Sequence, residues 1–176
     1  MADKESQETH PISKIGAPAT AVITGSFLAG VMMSVSLMAV PVLLETTTDP
    51  TQLVRQWART YHYGHQIAPT LAVTTFLLYA YTTVSRRAAA RRWAVFTAAG
   101  VTSIAMVPFT WIVMSPTNNK LFALEAGAGS KIMAAATFGE AVQLVNRWST
   151  LHLVRSLFPL AGSVIGLTGT LGELKY

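Results

Sequence analysis

Four residues near the C-terminus, Trp148, His152, Arg155 and Pro159, follow one another in steps of 4, 3 and 4. On a helix those steps place all four side chains on one narrow stripe. The stripe opens WSTLHLVRSLFPLAGSVIGLTGTL (148–171), a segment that is otherwise apolar and glycine-rich. Ionisable side chains in such a segment usually face a bundle interior and mark a functional path. The blander alternative has His152 and Arg155 reaching out to lipid phosphate. A histidine exchanges a proton near neutral pH, and a cation beside it stabilises the anion that deprotonation leaves. With Trp148 as an aromatic wall, the stripe suits proton abstraction from a flat, acidic, apolar substrate.

Two further pieces carry reactive side chains. In YHYGH (61–65), His62 and His65 are three apart, a spacing that presents both imidazoles on one side of a helix unless Gly64 breaks it. Together with His152 they could form a three-histidine metal site, with Glu45 as a candidate fourth ligand. Alternatively the Tyr and His side chains form an interfacial belt, or His65 is a second acid/base while Tyr61 and His62 touch substrate. In PTNNKL (116–121), Asn118 and Asn119 follow a proline. They read as a turn or helix cap, or as amides orienting a phenol or a dioxygen-derived oxygen. There is no glycine-rich nucleotide loop, nucleophile elbow, or flavin or nicotinamide motif.

The elements that must position these groups are membrane-like. Only 12% of the 176 residues are charged and 51% are hydrophobic, against about 25% charged in a soluble domain. Mean hydropathy is +0.42. No cysteine is present, which excludes disulfides and thiolate metal sites. The net charge of +5 owes much to RRAAARR (86–92); between apolar spans such a run is an orientation signal, and no nucleic-acid partner is expected. Spans are expected near 15–44, 66–84, 93–114 (kinked at Pro108) and 152–171.

In the first span Ala17, Ala21, Gly25 and Ala29 form a small-residue stripe; in the fourth, Gly162, Gly166 and Thr170 do the same. Between the first two spans, Asp49 reads as an N-cap followed by Pro50. The helix it opens has Leu53, Val54, Trp57 and Tyr61 on one side and Arg55 and Arg59 on the other. Thr137 and Glu140 have capping-box spacing, from which one helix can run through Trp148 into the last span.

The fold expected is all-α: an integral-membrane four-helix bundle with additional helical segments in the two lumenal connections. It is a single domain over 17–172, with disordered cytosolic tails at 1–16 and 173–176. The arginine run places both termini in the cytosol and gathers the reactive residues at the opposite, lumenal end. The endoplasmic reticulum is the default membrane.

Three segments, in this order across four spans, resemble the fungal anthrone oxygenases, small membrane proteins of the domain-of-unknown-function 1772 type. The first holds Trp57, Tyr61, Gly64 and Pro69; the second is PTNNKL; the third holds Trp148, His152, Arg155 and Pro159. The resemblance covers nearly the whole chain from Thr20. It implies oxidation of an anthrone, an aromatic polyketide, to the anthraquinone by O2 as co-substrate, with no organic cofactor and no added metal. On that reading His152 is the general base, Arg155 and Asn119 hold the enolate and peroxide, and His65 is a second acid/base. Trp148 and Trp57 stack on the substrate, which Asn118, Tyr61 and His62 also contact. The competing readings are a metal-dependent oxygenase using His62, His65 and His152, and a non-enzymatic transporter or partner subunit. A homodimer is left open.

Overall fold

In the computed structural model, which describes residues 11–127 and 138–173, the described chain is built from helices alone. Helix α1 comprises Pro11–Ser34, a wide π-helical turn at Val35–Ala39, and Val40–Thr46. Helix α2 is Pro50–Ala88. Helix α3 comprises Ala94–Ile104, Met106–Phe109, a second π-helical turn at Thr110–Met114, and Ser115–Ala126. Helix α4 is Phe138–Glu173. All four are long and apolar enough to cross a membrane.

Each α1 and α3 packs along both α2 and α4, and α2 touches α4 across the bundle. Small residues permit these approaches, since lipid tails compete with helices for apolar contact and only close packing discriminates. Ala21, Gly25 and Ala29 of α1 are buried, whereas Ala17 is only partly so. On α4, Gly162 lies against Ser103 and Ala99 of α3, and Gly166 against the Tyr79 ring of α2.

Several local expectations are met. Asp49 caps α2, its carboxylate accepting from Thr51 N–H at 3.1 Å and Gln52 N–H at 3.2 Å. Leu53, Val54 and Trp57 are buried while Arg55 and Arg59 are exposed. Pro108 has no N–H for the Ile104 carbonyl, and α3 breaks between the two, at Ala105. α4 runs unbroken from Phe138, although Thr137, the expected cap, lies outside the described residues.

Other expectations are not met. The connecting segments are not separate elements: 50–65 is the first part of α2, and 115–126 the last part of α3. Gly64 does not break α2, because its backbone bonds continue and one glycine costs only about 1 kcal/mol in a helix. Asn118 and Asn119 therefore sit inside a helix rather than in a turn or cap. At about 1.5 Å per residue, the 39 residues of α2 extend well beyond a hydrocarbon layer of about 30 Å. α1 begins at Pro11, inside the segment expected to be a tail, and Glu173 still belongs to α4.

The two π-helical turns have a common origin. Pro41 and Pro116 each stand two residues past the end of one. A proline in a helix clashes with the carbonyl four residues before it, here Leu37 and Ile112, the middle residue of each wide turn. Widening the turn accommodates the ring. The closing bonds then run five residues back, from Val40 N–H to the Val35 carbonyl and from Ser115 N–H to the Thr110 carbonyl.

At the far end α2 closes on Arg86 and Ala90. Arg91 N–H donates to the Arg86 carbonyl at 2.9 Å, Ala90 adopts φ 52°, and Arg86 pairs with Glu173. That ion pair puts the arginine run and the end of α4 together, as the four-span topology requires. Alanine pays a steric cost at positive φ that glycine does not. Ala90→Gly is therefore expected to stabilise the fold by about 1 kcal/mol, read as a higher thermal unfolding midpoint in detergent. An unchanged or lower midpoint would contradict this.

Candidate functional site

The core falls into three groups along the bundle. At one end Val40, Val54, Trp57, Leu121, Val145 and Trp148 form an aromatic-rich cap from all four helices. Leu28, Met32, Ala72 and Met106 fill the middle, and Tyr79, Phe96 and Ala99 the arginine end. Between the cap and the middle lies a cavity of about 270 Å³, near the lower end of the roughly 300–1,000 Å³ typical of small-molecule sites. Its polar lining includes Tyr61, His65, Asn118, Trp148, His152 and Arg155, and its apolar lining includes Val35, Ala68, Met106 and Val107.

His152 is 5% exposed. Its ring lies 4.7 Å from that of Trp148, tilted by 32°. Its Nδ1 is 3.1 Å from Ser36 Oγ, which donates its own proton to the Ser149 carbonyl at 3.1 Å. With its proton on the Ser149 carbonyl, Ser36 can accept from Nδ1–H, the tautomer that puts the imidazole lone pair on Nε2. Ser149 Oγ returns a bond to the Ser36 carbonyl at 3.3 Å, so the two residues clasp α1 to α4 at this level.

Arg155 is held in the same manner from the other side. Its Nη1 donates to Thr110 Oγ1 at 3.1 Å, and Thr110 donates its proton to the Met106 carbonyl at 2.8 Å. Ser36 belongs to the wide turn of α1 and Thr110 to that of α3. Each π-helical turn thus supplies one hydroxyl to one polar residue of α4, in keeping with the association of such turns with functional sites. Neither hydroxyl was expected from sequence, where both look like ordinary small residues of an apolar span. The signal was the proline a few residues downstream of each.

The structure sorts the expected residues. It brings together Trp148, His152, Arg155, Asn118, Tyr61 and His65 around the cavity. Asn118 is 5% exposed, whereas its neighbour Asn119 is exposed and does not line the cavity; a helix separates adjacent side chains by about 100°. Trp57, 1% exposed, is also outside the lining. It packs edge-on against Trp148 at 5.9 Å and tilted against Tyr61 at 5.5 Å, buttressing two walls.

His62 bonds to Gln66 at 3.2 Å and faces a surface groove with Arg55 and Arg59. His65 stacks on Tyr61 and borders both that groove and the cavity. His62, His65 and His152 are therefore not assembled. Among the described residues no three His, Cys, Asp or Glu side chains are placed to share a metal ion, and Glu45 is exposed.

Three buried polar atoms of cavity residues have no partner within the protein: Arg155 Nε, Asn118 Oδ1 and Trp148 Nε1. Buried polar groups are nearly always paired, so these two donors and one acceptor mark unsatisfied hydrogen-bonding capacity in residues that line the cavity. A neutral imidazole, a guanidinium and an amide around an apolar floor can take a proton from an aromatic substrate and hold the resulting anion.

A family profile described as anthrone oxygenase matches residues 57–165. An anthrone oxygenase of Paecilomyces divaricatus is 56% identical over 159 residues, covering 90% of this chain and 97% of that protein. An anthrone oxygenase of Aspergillus fumigatus is 52% identical over 155 residues, 88% and 93% of the two chains. A noranthrone monooxygenase of Aspergillus flavus is 42% identical over 168 residues, 96% of this chain and 80% of the other. No solved structure matches.

Proposed function

This chain belongs to the anthrone oxygenase family and is an oxidoreductase, and from that premise we propose that it oxidises an anthrone to the anthraquinone with O2, inside a membrane and without an organic cofactor or metal. The observation that carries the mechanism is the cavity itself, where the His152 imidazole lines the same space as an incompletely paired guanidinium.

The flat tricycle lies against Trp148, its oxygen toward Arg155 Nε and Asn118. His152 Nε2 takes a proton from the methylene carbon, and Arg155 stabilises the enolate that forms. The enolate carbon is oxidised as O2 is reduced, giving a carbon-bound peroxide. His152 returns its proton to the peroxide, and the resulting hydroperoxide loses the second methylene hydrogen and its distal hydroxyl as one molecule of water. One oxygen atom ends on carbon as the new carbonyl, the other in water, and both methylene hydrogens are accounted for. Asn118 takes the amide role that the sequence reading gave to Asn119, because it is the buried one of the pair. His65, at the cavity border, is the second acid/base group.

Four helices long and apolar enough to cross a bilayer support a membrane setting; in this reading the arginine run is cytosolic and the cavity lies toward the lumenal side. The decisive experiment incubates purified protein with an anthrone in chelator-containing buffer, following quinone absorbance and oxygen uptake. One O2 consumed per quinone, at a rate well above buffer and unaffected by the chelator, is the expected result. No acceleration would sink the proposal. Loss on chelation with recovery on adding metal would replace it by metal-dependent chemistry.

A further inference from the structure

A second, much smaller crevice of about 60 Å³ adjoins the cavity. It shares Val35, Gly64, Ala68, His152 and Arg155 with the larger space, but its remaining walls are Leu28, Val31 and Met32 of α1 and Ile67 of α2. The larger cavity is bounded instead by α3, through Met106, Thr110 and Trp111. Two spaces thus reach His152 and Arg155 from different sides of α2.

Apart from those two residues, every residue lining the crevice is apolar. A buried water needs two to four polar partners, and a space of this size holds only a few water-sized molecules. Neither a hydrated ion nor a second aromatic ring suits it. At its mouth Val31 is 37% and Ile67 52% exposed, both within helices long and apolar enough to span a membrane. The mouth therefore faces lipid, where a small apolar gas is more concentrated than in water because transfer of apolar solutes out of water is favourable.

We propose that this crevice admits and holds dioxygen, delivering it from the lipid phase to the face of the substrate beside His152 while the aromatic occupies the larger cavity. The inference rests on the oxygenase reading above. Two separate ways in remove a conflict of geometry: a flat tricycle filling the larger cavity would otherwise block its own co-substrate. The guanidinium of Arg155, bordering both spaces, stands where a reduced oxygen first acquires negative charge.

The test narrows the mouth without touching the proposed catalytic groups. Initial rates are measured against O2 concentration at saturating anthrone for the parent, Ile67→Trp and Val31→Trp. The expected result is a rise of about tenfold in half-saturating O2, with the anthrone KM and the rate at high O2 retained. Ile67→Ala, which widens the mouth, should show no such rise. Unchanged O2 dependence in folded tryptophan variants would overturn the proposal, as would a parallel rise in the anthrone KM.

A readout independent of turnover is paramagnetic relaxation of the ¹³C-labelled His152 ring under oxygen pressure, its resonance identified by loss in His152→Gln. Relaxation should fall in both tryptophan variants, and equal relaxation would overturn the inference. If the parent itself fails to turn over an anthrone, the oxygenase reading falls while this measurement still decides whether the crevice carries O2. Should the tryptophan variants fail to fold, Ile67→Phe and Val31→Phe replace them in both measurements.

Discussion

His152→Ala is expected to lower kcat for anthrone oxidation by about a hundred- to ten-thousand-fold, the usual contribution of a positioned general base. The reason is geometric. Nδ1 lies against Ser36, whose proton goes to the Ser149 carbonyl, and the tautomer with Nδ1–H on Ser36 makes Nε2 the basic nitrogen offered to the cavity. The fold should survive the change, because the Ser36–Ser149 clasp between α1 and α4 remains. His152→Gln keeps most of the volume and a hydrogen-bonding group but no base, so it should be nearly as slow.

Ser36→Ala should fall between the parent and His152→Ala, since it frees the tautomer without removing the imidazole. The measurement is quinone formation at saturating anthrone and O2, with helical content checked by circular dichroism. A drop in kcat at unchanged KM would assign His152 to the transition state; a raised KM alone would assign it to binding. Unchanged turnover in a folded His152→Ala protein removes it from the role of base.

Gly162→Ala should destabilise the bundle by about 2–3 kcal/mol, at the upper end of ordinary overpacking. A Cβ there would stand 2.8 Å from the Ala99 carbonyl oxygen and 3.1 Å from Ser103 Cβ. The first of these is backbone, so no rotamer change relieves it, and α3 and α4 must separate. Separation of α3 from α4 would also pull Thr110 away from Arg155, so activity should fall with stability. Gly30→Ala is the matched control, since a Cβ there meets nothing within 4 Å. Higher helix propensity should make it neutral or stabilising by up to about 1 kcal/mol. Both are read from thermal unfolding in detergent; equal midpoints for the two variants would contradict the packing argument.

The helices and much of their burial pattern were legible because they depend on local or periodic signals. Asp49 followed by Pro50 marks a helix start, the spacing of Leu53, Val54 and Trp57 marks a buried face, and Gly162 with Gly166 marks a close crossing. The stripe of Trp148, His152 and Arg155 was legible for the same reason: residues three and four apart on one helix share a face wherever the helix goes.

What lay beyond the sequence was everything decided between helices. That Asn118 rather than Asn119 enters the cavity depends on how α3 is rotated against its neighbours, which adjacent identical side chains cannot encode. That Trp57 buttresses the walls instead of lining them follows from the packing of the cap. Ser36 and Thr110 acquire roles only because two prolines widen the turns that hold them, bringing a hydroxyl from each flank to α4. The sequence by itself determined which faces are polar and which apolar, since that follows from residue type and helical period. Tertiary structure alone decided which polar groups meet, since hydrogen bonds form over about 3 Å and small rotations of a helix make or lose them.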